Sequence, residues 1–337
     1  MNIKEAISRL LDLGDLTETQ MTFVMEQIMT GGASDAQIAA FLVALRMKGE
    51  TVEEITGAAR VMRDKALKVE AGPGAVVDTC GTGGDGAHTF NVSTTAAFVA
   101  AGAGLVVAKH GNRAISSKSG SADVLKALGV NVEAEVSRVE ECLKEAGIGF
   151  LFAPALHSAM RFVMPARRDI GARTIFNVLG PLTNPAGAKR QVMGVYDRKL
   201  IEPLAVALGK LGAVKAFVVH GQDGLDEITV TAPTYMALLE NGQVKTLTIT
   251  PEQFGIPIHK PDSIKGGDAE QNAKITRHVL EGEKGAHRDI TLLNAAAVIC
   301  AGGLADFIDD ALPLAEKSID TGVALEKLEK LVKITNS

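Results

Sequence analysis

Apolar side chains recur at helical spacing through the first 70 residues of the chain, with polar residues between them. The opening stretch, MNIKEAISRLLDLG, has the pattern of an amphipathic helix. Each of three further apolar runs follows a Ser or Thr that has Gln or Glu three residues later, which is the pattern of a capping box. The pattern therefore predicts a small all-helical domain over residues 1–70. The pairs are Thr17 with Gln20, Ser34 with Gln37, and Thr51 with Glu54.

Beyond Gly72 the pattern changes to short apolar runs that alternate with helical segments. A strand, a glycine-rich turn, a helix and a second strand follow in order, and such a unit implies a parallel sheet. The predicted fold class is α/β with a separate small all-helical N-terminal domain and a mainly parallel central sheet flanked by helices. Strands are predicted at 75–79, 105–108, 149–152, 192–195 and 216–219, helices at 94–101 and 325–332, and a loop or hinge at 174–187.

The length, charge and cysteine content of the chain exclude several classes of protein and disfavour several kinds of partner. With 337 residues the chain is long enough for one large domain and a smaller one. A formal net charge of −5, without a long basic run, disfavours nucleic acid as a partner. The three cysteines are far apart and indicate neither a disulfide framework nor a zinc site. No apolar stretch approaches the length of a membrane span, so we expect a cytoplasmic protein that binds neither membrane nor nucleic acid.

The strongest local signal is the segment DTCGTGGDG at residues 78–86, after the first predicted strand. Its glycines let backbone N–H groups approach an anion closely, and a helix that begins near Ser93 turns its positive end toward the same point. The segment lacks the Lys-Ser/Thr pair of a Walker A loop. Asp85 would repel a bare diphosphate but suits one that is carried with Mg²⁺. The alternative is a tight turn between strand and helix that binds no ligand.

A second polar cluster, KHGNR at residues 109–113, follows the next predicted strand, at the edge where open α/β sheets bind ligands. Lys109 can contact a phosphate as a point charge, and Asn112 can hydrogen-bond a ribose or a carboxylate. The hydroxyl-rich loop over residues 115–123 has the character of a second phosphate-binding segment that can order over a ligand. Taken alone, the cluster is equally compatible with a solvated loop.

Two further polar groups follow later strands. Asp226 and Glu227 lie in a glycine-rich loop where two carboxylates can share Mg²⁺, and a solvated acidic turn is the alternative. His157 and the pair Arg167-Arg168 follow the strand predicted at 149–152. An arginine there can pair with a substrate carboxylate through two hydrogen bonds. His157 considered by itself is more typical of a structural or surface position.

Together these segments resemble the anthranilate phosphoribosyltransferases of tryptophan biosynthesis. The resemblance covers roughly half of the chain, and its segments occur in the family's order and spacing. They are GTGGDG…TFNVSTT (81–95), KHGNRA (109–114), SGSADVL (119–125), FLFAP…H..AM (150–160), TIFNVLGPLTNP (174–185) and GLDE (224–227). The resemblance implies that 5-phosphoribosyl 1-diphosphate loses pyrophosphate while the amino group of anthranilate bonds to ribose C1.

The resemblance also implies a role for each matching residue. Asp226, Glu227 and His110 would be catalytic, with His110 only a weak candidate for a base, because an aromatic amine is nucleophilic when neutral. Two Mg²⁺ per subunit would be held by Ser93, Asp226 and Glu227. Anthranilate would contact Gly81, His110, Asn112, His157 and Arg167. Phosphoribosyl diphosphate would contact Gly81, Gly83, Gly84, Asp85, Thr89, Asn91, Ser93, Thr94, Thr95, Lys109, Ser119 and Ser121.

The division of the chain follows from the same resemblance. A segment near 164–186 would rejoin the helical domain of residues 1–70. Residues 71–163 and 187–337 would form the α/β domain that binds the diphosphate. The apolar faces of the first two helices would form a homodimer contact.

Two rival interpretations concern other classes of protein. A pyrimidine-nucleoside phosphorylase resembles this family in fold, but its glycine turn is followed by a lysine, where this chain has Asp85-Gly86-Ala87-His88. A non-catalytic relative that binds nucleic acid should be basic and should lack residues such as His157 and Arg167. The acidic balance of this chain and the presence of both residues argue against that relative.

Overall fold

The computed structural model describes residues 1–114 and 119–337. In these ranges none of the helices has the length and apolar character that crossing a bilayer requires. The helices are α1 (Ile3–Leu11), α2 (Glu18–Met29), α3 (Asp35–Lys48), α4 (Val52–Lys65), α5 (Val92–Gly102), α6 (Ser121–Ala127), α7 (Val136–Glu145), α8 (Ala153–Leu156), α9 (Met164–Ile170), α10 (Phe176–Leu179), α11 (Ile201–Lys210), α12 (Ala269–Leu280), α13 (Ala286–Gly302), α14 (Ile308–Asp320) and α15 (Val323–Thr335). Short 3₁₀ turns cover Ser158–Phe162, Gly180–Leu182, Arg198–Leu200, Pro251–Phe254 and Pro261–Ile264.

One sheet forms the centre of the described structure. Its strands are β1 (Val76–Asp78), β2 (Val106–Gly111), β3 (Ile148–Phe152), β4 (Arg190–Gly194), β5 (Lys215–Gly221), β6 (Thr234–Glu240) and β7 (Gln243–Ile249). The order is β3-β2-β1-β4-β5-β6-β7. The first five strands in this order are parallel, and β6 and β7 are antiparallel to their neighbours. The predicted fold class is confirmed.

The N-terminal helices begin where their capping residues predict. All three predicted capping boxes are formed, and a fourth joins Asn2 to Glu5 at the start of α1. Each box satisfies backbone N–H groups that the first turn of a helix leaves unpaired. Gly57 lets α4 approach α2, because a Cβ atom at this position would lie 2.5 Å from the carbonyl oxygen of Glu18.

Two large apolar cores cover the two faces of the sheet. In β5, Phe217 and Val219 belong to one core and Ala216 and Val218 to the other, as the alternation of side chains along a strand requires. The first core contains α5 and α13, which are buried on nearly all sides. The second core joins α1–α4 to α11 and to buried residues between 163 and 182. The exact limits of the two domains stay a prediction.

The structure contains elements that the apolar pattern did not predict. β6 and β7 form a hairpin whose turn residues, Asn241 and Gly242, both have positive φ (53° and 73°). Asn-Gly is the typical sequence of such a two-residue turn, so the signal for this hairpin is local in the sequence. The predicted loop at 174–187 contains α10 and a 3₁₀ turn, because Phe176, Val178 and Leu179 are buried in the second core.

Candidate active site

Parallel strands bring the predicted site residues to one edge of the sheet. The glycine turn (residues 81–86) follows β1, Lys109 lies near the end of β2, and the acidic loop (residues 222–227) follows β5. β4 lies between β1 and β5, and its last residue is Gly194. All these segments therefore meet at the carboxyl ends of the strands, where open α/β sheets bind their ligands.

The glycine turn is attached to the end of β4. The N–H group of Thr82 donates to the carbonyl oxygen of Gly194 at 2.9 Å, and its hydroxyl oxygen accepts from the N–H group of Tyr196 at 3.1 Å. Gly83 and Gly84 have φ angles of 64° and 81°, a conformation in which a side chain would be strained. At Gly83 the turn therefore presents a backbone N–H group toward the acidic loop.

The acidic loop contacts both elements that were predicted to hold a diphosphate. Asp226 Oδ2 accepts a hydrogen bond from the N–H group of Gly83 at 2.8 Å. Glu227 Oε1 accepts one from the N–H group of Ser93, in the first turn of α5, at 3.1 Å. Asp85 lies beside this pair, since its Oδ2 accepts from the N–H group of Asp226 at 3.4 Å. Three carboxylates thus lie against the two backbone segments that were predicted to bind an anion.

Burial and mutual repulsion make these carboxylates suitable for a cation. Burial raises the pKa of Asp226 well above its ordinary value, and the charges of Asp85 and Glu227 raise it further. Burial also raises the pKa of Glu227, while Lys109 and the hydrogen bond from Ser93 oppose that rise. A divalent cation would compensate the negative charge that burial leaves poorly solvated, and oxygen ligands of this kind suit Mg²⁺.

A second set of potential ligands is a poorer match for Mg²⁺. Within the described ranges, Asp78, Cys80 and His110 each offer an atom within 4.8 Å of the others. This set combines a thiol, an imidazole and a carboxylate, whereas Mg²⁺ prefers oxygen ligands. Both carboxylate oxygens of Asp78 also accept hydrogen bonds, Oδ1 from two backbone N–H groups and Oδ2 from Asn184. The acidic loop with Ser93 is therefore the set whose chemistry fits the metal.

Lys109 lies beneath the cluster and is 3% exposed. Its Nζ donates to the hydroxyl and carbonyl oxygens of Thr79 at 3.0 and 3.2 Å, and to Ser93 Oγ at 3.4 Å. Burial lowers its pKa, while the nearby Cys80, Asp78 and Glu227 oppose that change. A buried ammonium group at this point would favour the binding of an anion above it.

His110 and His157 form a buried pair on the other side of β2. His110 Nδ1 lies 3.1 Å from the carbonyl oxygen of Gly180, and its Nε2 lies 3.2 Å from His157 Nε2. Because a carbonyl can only accept, Nδ1 of His110 carries the proton, and its Nε2 accepts from His157. Burial lowers the pKa of His110 to about 3 and that of His157 to about 4, so both rings are neutral near pH 7. Both nitrogens of His110 are engaged, which argues against a role as a base.

The neutral pair predicts a specific dependence of stability on pH. Histidines of the unfolded chain bind protons below their ordinary pKa of 6.5, whereas the folded pair does not until about pH 4. The free energy of unfolding should therefore fall as the pH drops from 6.5, by up to about 1.4 kcal/mol per pH unit for each histidine. Denaturant titrations of His157→Gln should show a shallower fall. Equal slopes in His157→Gln and the unmodified protein would contradict the prediction.

Arg167 lies in the last turn of α9 and is half-buried, whereas Arg168 is exposed. The Arg167 guanidinium carbon lies 5.4 Å from the centroid of the Phe176 ring, at the start of α10. Gly180, which contacts His110, follows the end of α10. Burial lowers the pKa of Arg167, so an anionic partner would compensate a real desolvation cost. The segment from Phe176 to Gly180 thus contacts Arg167 at one end and His110 at the other.

Other predicted contacts lie around the start of α5. Asn91 Oδ1 accepts from Ser119 Oγ at 3.3 Å, and Ser121 Oγ donates to the carbonyl oxygen of Asn112 at 3.2 Å. The first bond joins Ser119 to the residue before α5, and the second joins two residues on either side of the predicted phosphate loop. Residues 115–118 of that loop lie outside the described residues. Thr95 Oγ1 lies 3.0 Å from both the carbonyl oxygen of Asn91 and Thr276 Oγ1, and Thr89 pairs with Lys265 through the backbone. Thr94 is buried and lines an interior cavity with Phe98 and Leu125.

Asp78, for which no role was predicted, holds three segments together. Its Oδ1 accepts from the N–H groups of Thr79 and His110 at 2.7 and 3.1 Å, and its Oδ2 accepts from Asn184 Nδ2 at 2.7 Å. Burial raises the pKa of Asp78 to about 6, although the bond from Asn184 and the charge of Lys109 oppose the rise. The sequence signal that could have identified Asp78 is a carboxylate at the end of an apolar strand.

Arg173 and Gly194 also had no predicted role. Arg173 Nη2 donates to the carbonyl oxygen of Gly84, and its guanidinium carbon lies 4.1 Å from the centroid of the Tyr196 ring. A Cβ atom at Gly194 would lie 1.5 Å from the carbonyl oxygen of Asp226. Neither contact has a local signal, because each joins segments that are distant in sequence.

Comparison with known proteins was consistent with this geometry. Residues 4–66 match the helical bundle domain of a glycosyl transferase family, and residues 73–325 match its α/β domain. The anthranilate phosphoribosyltransferase of Geobacter sulfurreducens is 54% identical over 348 residues, which cover 99% of each chain. The crystal structure of the Thermus thermophilus enzyme of the same name superposes with a TM-score of 0.93 at 42% identity, over 98% of this chain and 99% of that one.

The Saccharomyces cerevisiae enzyme of that name has been solved with PRPP and Mg. It superposes with a TM-score of 0.89 at 29% identity, over 99% of this chain and 98% of that one. A further structure of it contains 4-fluoroanthranilate, with a TM-score of 0.88 at 28% identity, over 99% and 98% of the two chains. These matches span both parts of the fold and do not favour either rival interpretation. The chain belongs to the anthranilate phosphoribosyltransferase family, whose members are glycosyl transferases.

Proposed function

We propose that this protein transfers the 5-phosphoribosyl group of 5-phosphoribosyl 1-diphosphate to the amino group of anthranilate and releases pyrophosphate. This is the second step of tryptophan biosynthesis from chorismate. The observation that carries the proposal is the contact of Asp226 with Gly83 and of Glu227 with Ser93. It combines oxygen ligands for a cation with N–H groups for a diphosphate, which is what departure of pyrophosphate requires.

On the donor side, the protein binds and orients the leaving group. N–H groups of the glycine turn and of the start of α5 would hold the diphosphate, and Lys109 adds a positive charge beneath it. Asn91, Ser119 and Ser121 would bind the phosphoribosyl part. Mg²⁺, held by Ser93, Asp226 and Glu227, would stabilise the charge of the departing pyrophosphate as a Lewis acid. We propose two Mg²⁺ per subunit.

On the acceptor side, the protein orients an amine that is already nucleophilic. Arg167 would pair with the anthranilate carboxylate, while His110, His157, Asn112 and Gly81 would surround the ring and the amino group. The histidine pair is neutral near pH 7. A protonated histidine here, in addition to Arg167, would repel the positive charge that develops at ribose C1. Orientation rather than proton abstraction is the contribution of this side.

We also propose a homodimer that forms through the helical domain and acts in the cytoplasm. The predicted contact, the apolar faces of α1 and α2, is corrected in one respect. Those faces are buried in the chain's own core, as Leu10 and Met25 illustrate. Large apolar side chains that remain exposed on α1–α3 and on the turn after α1 are Leu11, Leu13, Phe23, Val43 and Met47, and we propose these for the contact.

The proposed function is tested by following the fluorescence of anthranilate. The signal should disappear when both phosphoribosyl diphosphate and Mg²⁺ are present, and chelation of the metal should stop the loss. If the folded protein binds the diphosphate but leaves anthranilate unchanged, the proposed acceptor is wrong. The donor site would then serve another amine or base.

The assignment of Arg167 leads to a prediction about one substrate only. Arg167→Ala should raise the KM for anthranilate roughly 10- to 100-fold, since a hydrogen bond to a charged group contributes about 1.5–3 kcal/mol. The KM for the diphosphate should change little. Arg168→Ala, which removes the same charge from the exposed neighbouring position, is the control. Equal effects of the two variants on anthranilate would contradict the assignment.

A further inference from the structure

Asn294 lies in the middle of α13, which is one of the most deeply buried helices of the described structure. The side chain is 2% exposed, and the neighbouring positions of the helix are mostly apolar. Moving an amide into such an interior is unfavourable unless its polar atoms are hydrogen-bonded. A buried asparagine at this position therefore needs specific partners.

The main partner of Asn294 is the backbone of Ile228. Asn294 Oδ1 accepts from the N–H group of Ile228 at 3.0 Å, and Nδ2 donates to the carbonyl oxygen of Ile228 at 2.8 Å. Nδ2 also donates to the carbonyl oxygen of Ile290, one turn earlier in α13, at 2.8 Å. Because carbonyl oxygens can only accept, these bonds determine the orientation of the amide. The side chain thus ties both polar groups of Ile228 to the helix.

These bonds place the acidic loop relative to the rest of the molecule. Ile228 directly follows Glu227, and Asn294 is 66 residues away in sequence. Asp223, by contrast, bonds to the hydroxyl of Thr229 at 2.6 Å, a contact within the same part of the chain that shapes the loop without placing it. Asn294 also lines the small cavity that is lined by Ser93 and Glu227. Asn294 is therefore close to Glu227, while its amide bonds to the backbone of Ile228 and Ile290.

We propose that Asn294 is a positioning residue for the carboxylates of Asp226 and Glu227. This inference rests on the proposed function. By holding Ile228, Asn294 keeps the carboxylate oxygens opposite the N–H groups of Gly83 and Ser93. Mg²⁺ demands nearly ideal octahedral geometry, so a small displacement of the loop should weaken metal-dependent binding of the diphosphate. Anthranilate binding, which uses other segments, should be little affected.

The test compares Asn294→Gln and Asn294→Leu with Thr291→Val. Glutamine keeps the amide but moves it by one methylene, whereas leucine has a similar volume and removes all three hydrogen bonds. Thr291 is buried in the same helix, and its hydroxyl donates to the carbonyl oxygen of His287 at 2.7 Å. Thr291→Val therefore removes a buried hydrogen bond of α13 that does not reach the acidic loop.

Asn294→Gln should fold and should lower kcat/KM for phosphoribosyl diphosphate roughly 10- to 100-fold, with the KM for anthranilate unchanged. The Mg²⁺ concentration for half-maximal rate should rise, and Asn294→Leu should change in the same direction. Calorimetric titration of phosphoribosyl diphosphate with Mg²⁺, without anthranilate, should show weaker binding independently of turnover. Binding and metal dependence in Asn294→Gln equal to those of Thr291→Val would overturn the proposal. An unmodified protein without metal-dependent transfer would instead refute the proposed function.

Discussion

Asp226→Asn is expected to lower kcat by about 10²- to 10³-fold, the effect typical of losing one group that stabilises charge in the transition state. The substitution removes a negative ligand oxygen, and an asparagine amide could also turn an N–H group toward the N–H group of Gly83. Affinity for the diphosphate should fall less, because the glycine turn and Lys109 remain. Glu227→Gln should behave in the same way, with turnover affected more than binding, since charge builds up on pyrophosphate as it leaves.

The measurement is steady-state turnover as a function of Mg²⁺ concentration, together with calorimetric binding of the diphosphate. Glu252→Gln is a matched control, because it removes the same charge from an exposed 3₁₀ turn. Unchanged turnover in either acidic-loop variant would show that this pair does not hold the metal.

Gly194→Ala is expected to have the second large effect. The added Cβ atom would lie 1.5 Å from the carbonyl oxygen of Asp226, so either β4 or the acidic loop must move. Overpacking of this kind costs about 1–3 kcal/mol of stability. Displacement of the loop by an ångström or more should also lower kcat/KM for the diphosphate by about 10²-fold.

Denaturant unfolding and kinetics would measure the two consequences separately. Gly209→Ala, within α11, is the control, since its Cβ atom would meet only the flexible end of Leu239 at 3.2 Å. That variant should keep full activity. A Gly194→Ala protein with full activity and full stability would mean that the close approach of β4 to the acidic loop has no functional importance.

Much of the fold could be predicted because its signals are local. The capping boxes at Thr17, Ser34 and Thr51 each involve residues three apart, and the structure forms all of them. The five predicted strands overlap β1–β5, since short apolar runs between helical segments are typical of buried parallel strands. The hairpin turn at Asn241-Gly242 has an equally local signal, although the apolar pattern alone does not predict it. The loop at 174–187 was mispredicted because burial of Phe176 depends on the second core.

The residues of the candidate site could also be predicted where their signals are local. Chemistry carried by a short segment was visible in the sequence: the glycine turn, Lys109 and the acidic pair follow predicted strands, and the topology of a parallel sheet predicts that they meet. Their assignment to particular ligands stays a prediction.

By itself, then, the sequence determined the fold class, the order of the elements and the residue types of the site, because each depends on short-range patterns. Only the tertiary structure decided which atoms meet. The bond of Asp78 to Asn184 spans 106 residues, and that of Glu227 to Ser93 spans 134. The contact between His110 and His157 and the hydrogen bonds between Ile228 and Asn294 likewise join residues that are distant in sequence. Such contacts have no periodicity along the chain. They form when the chain folds and buries polar groups, which must then be hydrogen-bonded.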